Sequence, residues 1–235
     1  MKYIVFTFIF IVFLGCKQEQ SVYTHDADNT VAIKKDTIIY PSLREVFIDS
    51  STIGMKGKYK LDVKSFFNDS VYVEIKFYEK VNGKWKLNQE FALLKDGVSG
   101  CDVEISDFNN DGLNDMTYKS NIGARGANDI RTLFIFDKKG KLRRMKNSER
   151  YPNLRYNAKL DCVDAYMVYG GSTTAFLKVE NDSLREFANV TSFNGKREVT
   201  VTNKSGKEKI IRSDESEGDE LRYSNYNPLE ISDDN

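Results

Sequence analysis

Apolar residues at every second position limit this chain to pleated sheet. In VYVEIKFYE, Val71, Val73, Ile75 and Phe77 alternate with Tyr72, Glu74, Lys76 and Tyr78. In CDVEIS, Cys101, Val103 and Ile105 alternate with Asp102, Glu104 and Ser106. That spacing sorts side chains onto the two faces of a half-buried strand. Turn formers separate such runs at Asn82-Gly83, Lys139-Gly140, Asn181-Asp182 and Ser205-Gly206. Each reads as strand, short polar turn and return strand. No ten-residue amphipathic helical pattern follows residue 33, and residues 41–46 allow at most one turn. The expected class is all-β: antiparallel hairpin repeats in a small β-propeller-like domain, with a β-barrel or a sandwich as the alternative.

The N-terminus reads differently. Residues 1–15, MKYIVFTFIFIVFLG, place one Lys before an apolar run and end on Leu14-Gly15, followed by Cys16. This is the pattern of a secretory signal of the lipoprotein type, in which Cys16 becomes the lipidated N-terminus. The run is shorter than the ~20 residues a spanning helix needs. The polar residues 16–32 read as a flexible tether, and residues 33–212 as the folded domain. The expected location is the bacterial cell envelope, lipid-anchored on the periplasmic or surface face of the outer membrane.

Formal charge is zero, from 35 basic and 35 acidic residues. The balance hides an asymmetry. Residues 213–235 carry −7, whereas residues 16–212 carry +6. The acidic segment reads as a solvated, disordered tail. Zero net charge and export both argue against a nucleic-acid partner. A single His, His25, lies in the polar N-terminal stretch. It excludes sites built from two imidazoles and disfavours Ser-His-Asp or Cys-His chemistry. The chain is therefore expected not to be an enzyme. With Cys16 assigned to lipid, Cys101 and Cys162 remain, either as a disulfide permitted in an exported protein or as two buried thiols.

The strongest chemical signal is Asp107-Phe108-Asn109-Asn110-Asp111-Gly112-Leu113-Asn114-Asp115. Calcium takes six to eight oxygen ligands at about 2.3–2.6 Å. Alternate positions supply them here: the side chains of Asp107, Asn109, Asp111 and Asp115, and the backbone carbonyl of Leu113. Gly112 permits the sharp turn. Three carboxylates in one short loop repel unless a cation sits among them. Tyr118 stands where an EF-hand needs its bidentate Glu, and the flanks read as strands, so an EF-hand is a poor fit. The expected cofactor is Ca2+, bracing a turn between strands.

This loop resembles that of FG-GAP and related propeller-repeat proteins. The wider stretch VEISDFNNDGLNDMTYKSNIGARGANDIRTLFIFDKKGKL, then YPNLRYNAKLD, then GGSTTAFLKVENDSL, resembles a family of exported bacterial lipoproteins. In that family a calcium-binding, β-propeller-like envelope immunity protein inhibits a peptidoglycan-cleaving, lysozyme-like effector. The resemblance implies a non-enzymatic envelope protein that binds and inhibits a partner such as a cell-wall hydrolase. It leaves residues 33–100 without an assigned role.

Two tips are candidate partner-binding elements. One is Asn121 to Asn128, where Gly123 and Gly126 flank Arg125; the other is YMVYGGSTTAF, with Tyr169 and Ser172 beside Gly170 and Gly171. Arg and aromatic anchors carry much of the energy at protein interfaces. Plain hairpin turns explain the same residues. Lys141, Arg143, Arg144, Lys146, Arg150, Tyr151 and Arg155 form a local basic run. It suits anionic glycan, lipid headgroups or an acidic protein, or is a solvated strand face. A glycan-directed enzyme or carbohydrate-binding module is a weaker alternative, because the clustered carboxylates are assigned to metal and Trp85 is the one Trp. A structural envelope lipoprotein without a discrete ligand is another.

Overall fold

The computed structural model describes residues 41–97, 100–216 and 218–233, which fall within one compact unit. The signal segment, the tether and Cys16 lie outside the described residues. Among the described residues, no helix is long and apolar enough to cross a membrane.

The chain is all-β and antiparallel. A first meander holds β1 (Ser42–Asp49), β2 (Tyr59–Phe67), β3 (Val71–Val81) and β4 (Lys84–Lys95) in sequence order. A second meander holds β5 (Glu104–Ser106), β6 (Asp115–Gly123), β7 (Asn128–Phe136) and β8 (Leu142–Arg144), again in order. A third sheet runs β9 (Arg155–Asn157), β10 (Cys162–Val168), β11 (Ser172–Glu180), β12 (Ser183–Phe193), β13 (Lys196–Thr202) and β14 (Glu208–Glu215). A final hairpin pairs β15 (Tyr223–Tyr226) with β16 (Leu229–Ile231). These are open sheets, not a closed barrel. The two four-stranded meanders have the strand number of propeller blades.

Local chemistry explains the hairpins. Between β3 and β4, Asn82 and Gly83 both take positive φ, 49° and 76°, closed by the Val81–Lys84 pair. That is the type I′ geometry whose twist matches its strands. The turns at Asn181-Asp182 and around Gly140 and Gly206 also fall between paired strands, as expected.

The sheets stack through three apolar clusters. Leu61, Val63, Val73, Ile75 and Phe77 pack with Met116, Tyr118, Phe134 and Phe136 from β6 and β7. On β7 the alternate residues Leu133 and Ile135 join Val163, Ala165, Ala175 and Leu177 from the third sheet. The middle sheet is therefore covered on both faces, which is why Thr132 to Phe136 is buried without a break. Each fully buried side chain of this size contributes about 1.5–3 kcal/mol by leaving water. Residues 41–97 thus belong to the same core, which accounts for much of the stretch that the family resemblance leaves open.

One expectation is corrected, and one open alternative is resolved. The described part of residues 213–235 is not a solvated tail. It completes β14 and forms β15 and β16, and Tyr223 is fully buried with Phe176, Ala188, Val190 and Val199. One of its acidic residues is paired locally: Arg197 Nε and Nη2 bond the Asp214 carboxylate at 2.9 and 3.0 Å. Charge counting missed the aromatic residues of YSNY. Cys101 and Cys162 are not bonded to each other. They sit in different clusters, Cys101 with Tyr118 and Cys162 with Phe176. Burial pushes the thiols up to about 11 and about 12, so both stay protonated and behave as small apolar residues.

Tyr223 supplies a direct test of the closing segment. Tyr223→Ala is expected to cost about 3–5 kcal/mol, the range for removing a large buried aromatic side chain. Urea unfolding checks it; a midpoint like that of the parent chain would return residues 213–235 to the status of a tail.

Candidate functional site

The Asp-rich loop links β5 to β6 and folds back on itself. Asp107 Oδ1 accepts from Asp111 N at 3.2 Å, and its Oδ2 accepts from Gly112 N at 2.8 Å. Asp111 Oδ1 accepts from Leu113 N at 2.9 Å, and Asn109 Nδ2 donates to Asp111 Oδ2 at 3.1 Å. Asn110 and Gly112 take positive φ, 56° and 83°. These turns bring Asp107, Asn109 and Asp111 to the same short loop.

Asp115 behaves differently. It is fully buried; its Oδ2 accepts from Phe108 N at 2.9 Å and its Oδ1 from Phe136 N at 2.8 Å. Burial pushes its carboxyl up to about 7 despite those two bonds, and the charges of Asp111 and Asp107 add to the rise. Each carboxylate oxygen keeps a second lone pair for a further partner. Among the described residues, no group of three or more acidic, His or Cys side chains is drawn into a ready-made metal cluster. The donor chemistry nonetheless fits a hard cation: three carboxylates, one side-chain amide and the Leu113 carbonyl. It also fits electrostatically, because a cation would offset the repulsion felt by Asp115.

Other contacts hold the loop in place. Gly54 and Asn114 form an isolated bridge, and Asn114 Nδ2 donates to Thr52 O at 2.9 Å. Gly54 packs so tightly that a Cβ there would lie 2.7 Å from the Phe136 ring. On the other side, Asn110 Nδ2 donates to Asp161 Oδ1 at 3.2 Å.

The two tips singled out in the sequence lie side by side. Arg125, in the 3-10 turn Ala124–Gly126, is exposed with φ 56°. Tyr169 is 48% exposed and stacks on Phe193, itself 47% exposed, with ring centroids 6.4 Å apart. Its hydroxyl shares a hydrogen bond with Thr173 Oγ1 at 2.9 Å. Ser172 departs from expectation. It is fully buried, its Oγ donates to Leu221 O at 3.3 Å, and it offers nothing to a partner. It is the first residue of β11, beneath Gly171, where an added Cβ would lie 2.4 Å from Ser192 O.

Two asparagines to which the sequence reading gave no role of their own clamp these tips together. Asn128 Nδ2 donates to Val168 O at 3.0 Å, and Asn128 Oδ1 accepts from Val168 N at 2.9 Å. Asn153 Nδ2 donates to Ala127 O and Tyr166 O, both at 2.8 Å, and its Oδ1 accepts from Asp129 N at 3.0 Å. Asn153 takes φ 53°, a conformation that Asn tolerates better than most residues. The available signal was the Pro152-Asn153 turn.

The basic run forms no single stripe. Arg155 pairs with the buried Asp164, Lys146 with Asp182 at 2.5 Å, and Arg144 with Glu149 at 4.0 Å. Lys141 bonds Asn88, and Arg143 donates to the Asn181 carbonyl.

No family model matches the chain, and no curated protein matches it. Among solved structures, it is similar to a Xanthomonas type IV secretion system related protein at 12% identity and a TM-score of 0.45. That match covers 74% of this chain and 100% of the other. A likeness at that level carries no argument about what this chain does.

The asparagine clamp predicts a local effect. Asn128→Ala removes both bonds to Val168, and the Val168 amide is expected to exchange with solvent about tenfold faster or more, since a lost buried partner costs about 1–3 kcal/mol. Hydrogen exchange read residue by residue checks this; unchanged protection would show that the tips are held by other contacts.

Proposed function

We propose that this chain is a non-enzymatic, calcium-braced lipoprotein of the bacterial cell envelope that binds and inhibits a protein partner, such as a peptidoglycan hydrolase. The observation that carries the reading is the fixed pairing of the Arg125 tip with the Tyr169–Phe193 tip. An exposed guanidinium and an exposed aromatic pair, both on clamped backbone, make a preorganised anchor. Preorganisation removes much of the ordering cost of binding. Arg and Tyr are the residue types that dominate interface energetics, and a hydrolase cleft lined by carboxylates suits an Arg.

Calcium enters the same reading through Asp107, Asn109, Asp111, the Leu113 carbonyl and Asp115. Bound there, it would neutralise the loop carboxylates and stiffen the link between the first two sheets. Binding to the folded state alone raises stability by mass action, about 2.7 kcal/mol at a hundredfold excess over Kd. Calcium is therefore expected to raise the melting midpoint of the parent chain and to leave that of Asp111→Ala unmoved. An equal midpoint in calcium and in chelator for the parent would remove the metal from this account. Lipid on Cys16, exported location and the absence of a nucleic-acid partner complete the proposal.

Inhibition is tested with purified full chain and a panel of peptidoglycan hydrolases in calcium. One hydrolase is expected to be blocked stoichiometrically, with Tyr169→Ala weakening the block about tenfold or more, the usual scale of an interface anchor. A panel left fully active at molar excess, or a block indifferent to Tyr169 and Arg125, overturns the proposal.

A further inference from the structure

The hairpin between β3 and β4 runs past the core. Val73, Ile75 and Phe77 of β3 are buried, whereas every residue from 80 to 87 is exposed. A Cβ added at Gly83 would meet nothing within 4 Å. The ladder continues into this tip through the pairs Tyr78–Leu87, Lys80–Trp85 and Val81–Lys84, so the tip is a paired, two-stranded finger. It lies at the end of the first sheet away from Ser42, because Ser42 is level with Val71 and Asp49 with Phe77.

Two kinds of side chain meet on the finger. Val81, Trp85 and Leu87 are 42%, 37% and 47% exposed, and Trp85 is the one Trp of the chain. Lys80, Lys84 and Lys86 bring positive charge, and no carboxylate among the described residues lies at ion-pair distance from any of them. Lys80 Nζ lies 5.3 Å from the centre of the Trp85 ring. Glu79, next to Lys80, is taken by Lys58 at 3.4 Å. Lysines alone would serve to keep the edge strand β4 from pairing with another chain. Three exposed apolar side chains work against that purpose.

The alternation decides what kind of surface covers them. Trp85 and Leu87 share one face of the finger with Lys80, and Val81 shares the other with Lys84 and Lys86. A rigid protein surface covers one face of a finger, whereas a headgroup layer closes around both. We propose that the β3–β4 tip docks into a membrane surface of anionic phospholipid headgroups. Val81, Trp85 and Leu87 would sit at the boundary between headgroups and acyl chains, where Trp is favoured. The lysine stems would lie along that apolar surface and carry their ammonium groups to the phosphates. This contact is separate from the lipid anchor proposed for Cys16 and does not rest on it.

Trp85 reports its own surroundings, because no other Trp emits. The purified full chain is mixed with vesicles of phosphatidylcholine, with and without phosphatidylglycerol. Attachment through the apolar residues 1–15 does not depend on phosphatidylglycerol, so the difference between the two vesicles reads the tip. With phosphatidylglycerol, Trp85 emission is expected to move to shorter wavelength and iodide quenching to fall; with phosphatidylcholine alone, both are expected to stay as in buffer. Lys80→Gln, Lys84→Gln and Lys86→Gln are each expected to raise the lipid concentration needed for the shift about fivefold, and the triple variant about a hundredfold, the scale of one Lys near an anionic surface taken once and three times. Leu87→Gln is expected to raise it as well, which charge alone would not require. Emission that is the same in anionic vesicles as in buffer, that shifts equally in both vesicles, or that the triple variant or Leu87→Gln leaves unchanged overturns the proposal. So does a shift given by polyglutamate and not by anionic vesicles, which would assign the tip to an acidic protein.

Discussion

Asp115 joins three parts of this protein through one carboxylate. One oxygen takes the backbone N–H of Phe108 in the Asp-rich loop; the other takes that of Phe136 at the end of β7. Phe136 lies in the cluster shared with the first sheet, and Phe108 in the cluster shared with the third. A polar side chain is thus the pin between two apolar cores. It could not be replaced by a larger apolar one, because two buried N–H groups would lose their partners. The arrangement carries a cost, since burial and two neighbouring carboxylates raise the Asp115 carboxyl to about 7.

Stacking explains how strongly β7 is constrained. Phe134 and Phe136 face the first sheet while Leu133 and Ile135 face the third. A one-residue slip would exchange the two sets and place each in the wrong cluster. The strand is therefore fixed by both neighbours. Its far end leads to Asn128, where the tips are held by hydrogen bonds instead of apolar packing. A solvent-facing loop has little apolar surface to bury, so side-chain amides bonding to backbone are the available means of fixing it.

Much of this was legible in the sequence where one residue type has one job. The alternation in β3 predicted its buried face, and Asn82-Gly83 predicted its turn. The loop pattern led to Asp115. What escaped notice depended on contacts distant in sequence. Ser172 looks like a tip residue because it follows two glycines. Its burial is set by Leu221, 49 positions away. Residues 213–235 look like a tail because charge dominates the count. Their folding is set by Tyr223, whose backbone N–H donates to the buried Thr174 Oγ1 at 3.0 Å. Composition cannot register a single aromatic that fills a preformed gap.

The opposed charges of the two segments now have a structural meaning. Asp214 is satisfied by Arg197 on the adjacent strand, and the buried Asp164 by Arg222 from the closing segment together with Arg155. Specific pairs thus tie the closing segment to the third sheet. A segment of −7 that completes the third sheet and packs Tyr223 into its core is not a solvated extension. Arg125 at the clamped tip is, by contrast, an exposed cation. It keeps its hydration until a partner removes it. Removing that water strengthens the pairing the guanidinium then makes, and an exposed tip favours the larger contact surface that a protein partner supplies.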